Sequence, residues 1–568
     1  MFFHGPLSSR INSESSTMLT LPLEPTDDLA DPAFKDPDSC SKWLAQLQLT
    51  NLQPAHSQLL FQLREFNRYP MRGLDRLSTL ELLRETVGYV QDNYAKKLIA
   101  KPLPLNESEM TVFMAIAQLW QALVLGYQRC LQAYIAGDKL LASLGALLCH
   151  RCLLYSGLAI FEHLRCGYEF DPKLWHQLHE LYSFAEKNEL QLAEVPDPLN
   201  TVQPRGSCES IYVKTLLACY ARPAELNRFQ LQLLDGWLSE WSTTVTVERS
   251  YTRSRGDAQP LATDLAGTHG LLPIRSVTHN ETMRYIAMVP LSKLLRVKTI
   301  LLQQGQTPQH QKLGDNCTVN DCIEFLTFLH QCWCEDRNTR SGDRHPVAHQ
   351  TRLCHKLENI YAHLSGHPFK QHGNYAAKEN PTRKQTESLG KVTNDFPDQM
   401  LAEKGFPLES WQVENESIQG ARLTREDVAG GRLSCNQLVA FHPIDEITSI
   451  LGVTSWVLGI SKWVNVARSG HLHIGVRYLP GAAEAVRIAA ADNAETDKHL
   501  PALLLPEVPA LKTPPSLILE RGFFQPDRLV KIEHMNAEIQ QAKLGFCVER
   551  GVDFERVSFT PHQKTEDR

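Results

Sequence analysis

The sequence predicts an α+β multidomain protein: an N-terminal α-helical bundle or array, a mixed middle segment, and a C-terminal antiparallel β-barrel with extra strands. Three observations predict it. Apolar residues recur every three or four positions from residue 38 to about 190, and short alternating runs bounded by turn residues follow residue 345. Between the two lies a proline-rich linker, "AEVPDPLNTVQPRGS". At 568 residues the chain also exceeds what one core serves, so several domains are expected.

Residues 1–37 are polar and proline-bearing and read as a disordered extension. The α-helical domain is expected over 38–190. Asn106 with Glu109 has the form of a capping box, and Phe113, Ile116, Trp120, Leu123 and Tyr127 follow at helical spacing. The next helix is expected from about 139 to 165, stopping before Gly167. Another opens at Pro172, a first-turn position, and carries Leu174, Leu178, Leu181 and Ala185 as its apolar stripe. No fixed repeat length emerges.

A mixed middle segment is expected over 191–334. It has helices near 208–240, strand-like alternation in "TTVTVERSYT" and "TMRYIAMVP", and a helix near 290–305. Whether these strands form a second, degenerate barrel stays open. A last helix, "TVNDCIEFLTFLHQCWCED", leads straight into "RSGDR" at 340–344.

Beyond Arg344, "VAHQTRLCHKL" alternates, and 366–407 reads as an inserted disordered loop. Then come "SWQVEN", "QLVAFHP", "SWVLGISKWV", "HLHIGVRYL" and "EAVRIAA", placing a barrel domain at 335–490. In "SWVLGISKWV", Trp456, Leu458, Ile460, Lys462 and Val464 are expected on one face. A β-rich extension, 491–568, holds "PSLILERG", "RLVKIEH" and "GFCVERGVDFERVSF", with a short helix near "NAEIQQAKL".

Composition limits the function classes. A net charge of −6 argues against a nucleic-acid polymer as partner, so contact with an anion must rest on a local cluster. The 14 cysteines run from Cys40 to Cys547 without a compact framework and read as reduced thiols of a cytoplasmic protein. His330, Cys332 and Cys334 stand close in "HQCWC", but alternate positions on a helix face different ways, so no metal site is expected. "LASLGALLCHRCLLYSGLAIF" is broken by His150 and Arg151, and "MFFHGPLSSRINSESSTM" lacks the apolar core of a signal peptide. Membrane insertion is therefore not expected. No Walker loop, GxSxG elbow, HExxH helix or paired carboxylates occur in a motif context, so neither an enzyme nor a cofactor is expected. His345, His349, His471 and His473 are the histidines a catalytic role could use, but "HLH" puts His471 and His473 on one face of a barrel edge, where they read as solvated surface.

Arg340 and Arg344, four apart in a glycine-bearing stretch, offer two planar forks able to grip a phosphate or a guanine edge. Past the insertion, "NESIQGARL" supplies Asn415, Ser417 and Gly420: an amide, a hydroxyl, and a residue that permits close backbone approach. An RxxxR loop before a barrel, followed by [D/N]xSxxG on one strand, resembles the PilZ domains, bacterial receptors for the second messenger cyclic di-GMP. "SWVLGISKWVNVARSGHLHIGVRYL" resembles that family's closing hairpin, and the likeness covers roughly 335–490.

The resemblance implies that Arg340 and Arg344 wrap the dinucleotide while Asn415 and Ser417 bond it from the barrel face and Gly420 keeps the wall open. It implies a cyclic di-GMP effector that alters how the helical region contacts a protein partner. Four departures bear on this. The insertion is long, Glu416 adds a carboxylate inside the motif, and Lys462 stands where the family often has arginine. In "EDVAGG", Ala429 replaces the serine of a second, decoy motif. Arg337 also offers a shorter register, "RNTR". The alternative is a nucleotide-independent adaptor or scaffold with a degenerate PilZ-like barrel.

Overall fold

The helices start where side chains can satisfy their first amides. A computed structural model describes residues 25–251, 258–335, 345–371, 396–426, 430–443, 456–491 and 498–562, with Leu19 and Leu21. Helix α1 (Pro37–Gln46) opens on a capping box between Asp36 and Ser39. Helices α2 (Leu52–Arg68) and α3 (Gly73–Tyr94) lead to α4 (Glu107–Ile135), whose box is the expected Asn106–Glu109 pair. Helix α5 (Gly145–Cys166) ends at Gly167, left-handed at φ 66°, and α6 (Pro172–Lys187) is capped by Asp171. After α7 (Cys208–Tyr220) and α8 (Arg228–Trp241) come α9 (Val289–Gln303) and α10 (Val319–Cys334).

One continuous hydrophobic core joins all ten helices, from Phe34 to Trp333. The division expected at 190 is therefore not a packing boundary; α7 to α10 belong to the same body as α1 to α6. The extension read as disordered to residue 37 is packed over its last part, where Phe34 is fully buried against Trp43 and Phe66, and Asp27 pairs with Arg68. Helix α4 is long and apolar enough to span a membrane, but its apolar residues, among them Ile116, Leu119 and Leu123, sit in this core.

Strand β1 (Val195–Pro196) pairs β2 (Arg205–Gly206) inside the expected linker. The middle strands β3 (Val247–Glu248), β4 (Leu261–Asp264), β5 (Leu272–Pro273) and β6 (Met283–Ile286) form a small sheet, ordered β3-β6-β4-β5, not a barrel.

Strands β7 (His345–His355), β8 (Glu409–Ser417), β9 (Gly420–Arg425), β10 (Leu438–Pro443), β11 (Val457–Val466) and β12 (Leu472–Tyr478) close into an antiparallel barrel, ordered β10-β11-β12-β9-β8-β7. Closure leaves no unpaired edge, and Trp411, Leu423, Phe441 and Ile474 fill the inside. Between β7 and β8 stand α11 (Leu357–Ser365) and α12 (Phe396–Glu403), so part of the stretch read as a disordered loop is helical.

The C-terminal extension is a second closed barrel. It comprises β13 (Glu484–Ala490), β14 (Leu500–Leu505), β15 (Ser516–Glu520), β16 (Leu529–Glu533), β17 (Ile539–Arg550) and β18 (Phe554–Pro561). "EAVRIAA", expected in the first barrel, is β13 of the second, paired with β14 and β16. The short helix expected near "NAEIQQAKL" is instead the start of β17, entered through Ala537 at φ 66°.

Two backbone seams dock the first barrel onto the helices. Leu103 and Leu433 exchange both amide bonds, at 2.8 and 2.7 Å, and Leu103 inserts its side chain into the barrel core. Gly167 and Glu169, just past α5, bracket Val466 at the end of β11 at 2.8 and 2.9 Å. Glu109, already capping α4, also holds Arg432 of the barrel. The second barrel packs on the opposite side, through α11 and a shared layer including Leu438, Leu458, Ile460, Leu503 and Phe554.

Candidate functional site

The Asn415 motif lies at the end of the first barrel that borders the cleft toward the second. Strands β8 and β9 form a hairpin whose two-residue turn, Ile418–Gln419, is exposed. Ser417 closes that turn by donating its hydroxyl to the Gly420 carbonyl at 3.1 Å. Asn415 is half-buried on the preceding strand.

The register decides whether the two motifs can meet. On β7, His345 lies opposite Glu416 and Pro346 opposite Asn415. The residues directly after the arginine pair are thus hydrogen-bonded partners of the second motif, however long the insertion between them. Arg340, Arg344 and the alternative Arg337 lie outside the described residues, as do Asp427 to Ala429 of "EDVAGG".

Glu416 faces inward. It is 2 % exposed, and Tyr478 donates its hydroxyl to it at 2.6 Å. Burial and the Glu416 carboxylate together push the Tyr478 hydroxyl well above its usual range. The carboxylate expected to oppose an anionic ligand is thus satisfied within the barrel.

Gly420 departs from its expected role. A Cβ placed there would stand 2.1 Å from the Val476 carbonyl oxygen and 3.2 Å from Arg477 Cα, both backbone atoms of β12. The glycine therefore admits the neighbouring strand and does not hold a wall open. Gly420→Ala is expected to lower stability by about 1–3 kcal/mol, the usual cost of overpacking. Calorimetry checks this; an unchanged Tm would contradict the packing argument.

A polar cluster beside Asn415 escaped the sequence reading. Glu414 is the extra residue of a bulge in the β8–β9 ladder, and its carboxylate meets Arg422 at 2.6 Å and His473 at 3.3 Å. Arg422 lies over Trp463, 5.8 Å from the ring centre, and the Trp463 ring fills the space above Gly475. His473, read as a solvated residue, is largely buried here, and burial lowers its pKa. The readable signal was Gly475, which can sit opposite a tryptophan because it has no side chain.

A second bulge, between Ser461 and Trp463, breaks the face expected in β11. Before it, Leu458 and Ile460 point outward into the layer between the barrels; after it, Val464 and Val466 point into the core. Lys462, at the bulge, reaches Glu549 of β17 at 3.4 Å, and Arg477 grips the same carboxylate through both oxygens at 2.5 Å. Lys462 thus serves the contact between the barrels. Burial raises the Glu549 pKa, but the bonds from Arg477 and Lys462 outweigh it and hold the group below its ordinary 4.5. A depressed carboxylate stabilises above its ordinary pKa and loses that contribution as pH falls through the lowered value. Separation of the barrels, followed by small-angle scattering, is therefore expected as pH drops below about 4.5, and Glu549→Gln is expected to shift that onset.

Among the described residues no group of three or more His, Cys, Asp or Glu side chains is arranged to hold a metal ion. His330 of "HQCWC" bonds Ser292 at 3.0 Å, and burial pushes the Cys334 thiol up to about 12.

Two domain models of one family match the chain, in order. "Cyclic-di-GMP receptor FimW, N-terminal domain" matches residues 38–252, within the helical body, and "FimW C-terminal beta-barrel domain" matches 485–562, the second barrel. Together they span just over half of the chain, and the first barrel lies between them. The chain is also 23 % identical over 548 residues to "Cyclic-di-GMP receptor FimW" of Pseudomonas aeruginosa, covering 89 % of this chain and 88 % of that protein.

Proposed function

We propose that this chain, which belongs to the FimW family by the match of both its domains, is a receptor for cyclic di-GMP that holds the dinucleotide on the outer face of a PilZ-like first barrel. The observation that carries this reading is the β7–β8 register, which brings the chain leaving the arginine pair against Asn415 and Glu416. Arg340 and Arg344 would grip phosphate and guanine from one side. From the other, the half-buried Asn415 amide can donate and accept, and the Ser417 hydroxyl, in a residue only 8 % exposed, gives its proton to Gly420 and keeps its lone pairs for a donor that reaches the turn. The Trp463 ring with Arg422 over it offers a flat surface for a purine.

The arginine pair lies on the connection between α10 and β7, hence between the helical body and the barrel. Ligand gripped there favours one setting of the two, and the helical body transmits it to a protein partner. Isothermal titration with cyclic di-GMP, with GTP and cyclic di-AMP as controls, tests the reading. Saturable heat with cyclic di-GMP alone is expected; its absence at high ligand would leave the adaptor role, in which partner binding ignores the dinucleotide.

A further inference from the structure

Arg556 is a buried guanidinium with no ion pair among the described residues. On β18 it is 4 % exposed, its Nε donates to Ser516 Oγ at 2.9 Å, and its Nη2 has no hydrogen-bonding partner. Among the described residues no carboxylate forms an ion pair with it. Arg84 pairs with Asp197, Arg284 with Glu186 and Arg425 with Glu409, and Arg76, equally buried, instead gives both Nη groups to the Phe66 and Tyr69 carbonyls, whereas Arg556 leaves Nη2 unbonded. A buried cation left unpaired is costly, and burial accordingly lowers the Arg556 pKa, with Glu549 opposing and Arg477 adding to that effect.

Arg556 lines a cleft of about 640 Å³ between the two barrels. The first barrel contributes Ile418 and Gln419, the turn of the Asn415 motif, together with Trp456 and Arg477; the second contributes Thr513 and Arg556. Arg477 and Arg556 are the only charged residues among the described ones that line it, and both are cations. Counting the bridge behind them, Lys462, Arg477 and Arg556 face the single carboxylate of Glu549. Two positive charges are left over, which suits a phosphate. The Trp456 ring lies 5.3 Å from His363 and 5.6 Å from His442, tilted to both, and is half-buried at the wall, where a base can stack.

We propose that this cleft is a nucleotide-binding site in which Arg556 and Arg477 take a phosphate and Trp456 a base, so that the C-terminal barrel supplies part of the ligand contact. The phosphate has two possible sources: cyclic di-GMP seated on the adjoining motif, in which case the inference rests on the receptor reading, or a separate mononucleotide.

Titrations of the full chain with cyclic di-GMP and with GMP separate these cases. Arg556→Met is expected to weaken binding at least tenfold while leaving circular dichroism unchanged and Tm no lower, since methionine fills the same space without the stranded charge. If the occupant is cyclic di-GMP, only that ligand responds, and the Arg340→Ala, Arg344→Ala variant loses it too. If it is a separate nucleotide, GMP saturates in that double variant and is lost on Arg556→Met, even where cyclic di-GMP gives no heat. Folded Arg556→Met that binds both ligands as the wild type does would overturn the proposal, as would wild type that binds neither. Should Arg556→Met not fold, Arg477→Gln takes its place under the same criteria, and unchanged affinities there overturn it.

Discussion

Arg340→Ala combined with Arg344→Ala is expected to abolish measurable cyclic di-GMP binding while leaving the protein folded. A hydrogen bond to a charged group contributes about 1.5–3 kcal/mol, so losing one such contact per arginine costs roughly 3–6 kcal/mol. At about 1.4 kcal/mol per decade, affinity should fall by two to four orders of magnitude. Folding should survive because the two residues stand on the connection between α10 and β7 and within neither element. Arg344→Lys separates charge from geometry: lysine keeps the cation and loses the fork, so an intermediate loss is expected. Titration calorimetry with matched thermal melts reads all three proteins. Wild-type affinity in the double variant would place the ligand elsewhere and refute the clamp.

The second large effect is on stability. Arg84→Ala should destabilise the helical body by about 3–5 kcal/mol, the usual loss when one partner of a buried ion pair is removed. Arg84, on α3, is 3 % exposed at its side chain; it bonds Asp197 at 2.5 Å, Glu81 at 3.1 Å and the Tyr155 hydroxyl at 2.6 Å. Arg151, on α5, holds the other side of Glu81 at 3.0 and 3.1 Å, and Tyr127 donates to the same carboxylate at 2.7 Å. The network ties α3, α4 and α5 to the β1 strand beside Asp197. Removing Arg84 leaves Asp197, 6 % exposed, with only the more distant Arg151 at 3.7 Å. Urea unfolding followed by circular dichroism gives the magnitude, and Arg84→Met with Asp197→Leu should recover much of it, because an apolar pair removes the stranded charge. A single-variant loss below about 1 kcal/mol, the range of exposed pairs, would show the network to be solvated.

The two largest effects differ in how legible their residues were. Arg340 and Arg344 could be read as a pair because a ligand-gripping motif is local: four residues apart, with glycine between. Glu81 and Arg84 stand three apart on α3, a spacing any solvated helix pair shares, and Arg151 and Asp197 have no spacing that links them to it. Their association depends on how three helices and a short strand come together; of the group, Tyr127 was picked out as a core residue of α4 and Arg151 only as a break in an apolar stretch. The Asn415 motif falls between these cases. Its residue types were readable, but its pairing with His345 and Pro346 depends on strand register between segments some seventy residues apart.

What the sequence by itself determined is the local order of structure. Caps such as Asn106 with Glu109, Asp171 before Pro172, and the stop at Gly167 follow from which side chains can satisfy a helix end, and apolar periodicity sets which faces are buried. The pattern of short alternating strands likewise announced β structure beyond residue 345. Only the tertiary structure decided how many barrels those strands make. It moved β13 into the second barrel, turned Glu414 and Lys462 into bulges, and directed Glu416 inward to Tyr478. A strand's faces alternate with period two, so one extra residue exchanges them, and no composition or spacing reveals whether the partner strand skips it. The same reason holds for Arg556: a buried cation lacking a carboxylate is a property of the space between two barrels, and it exists only once both have closed and packed.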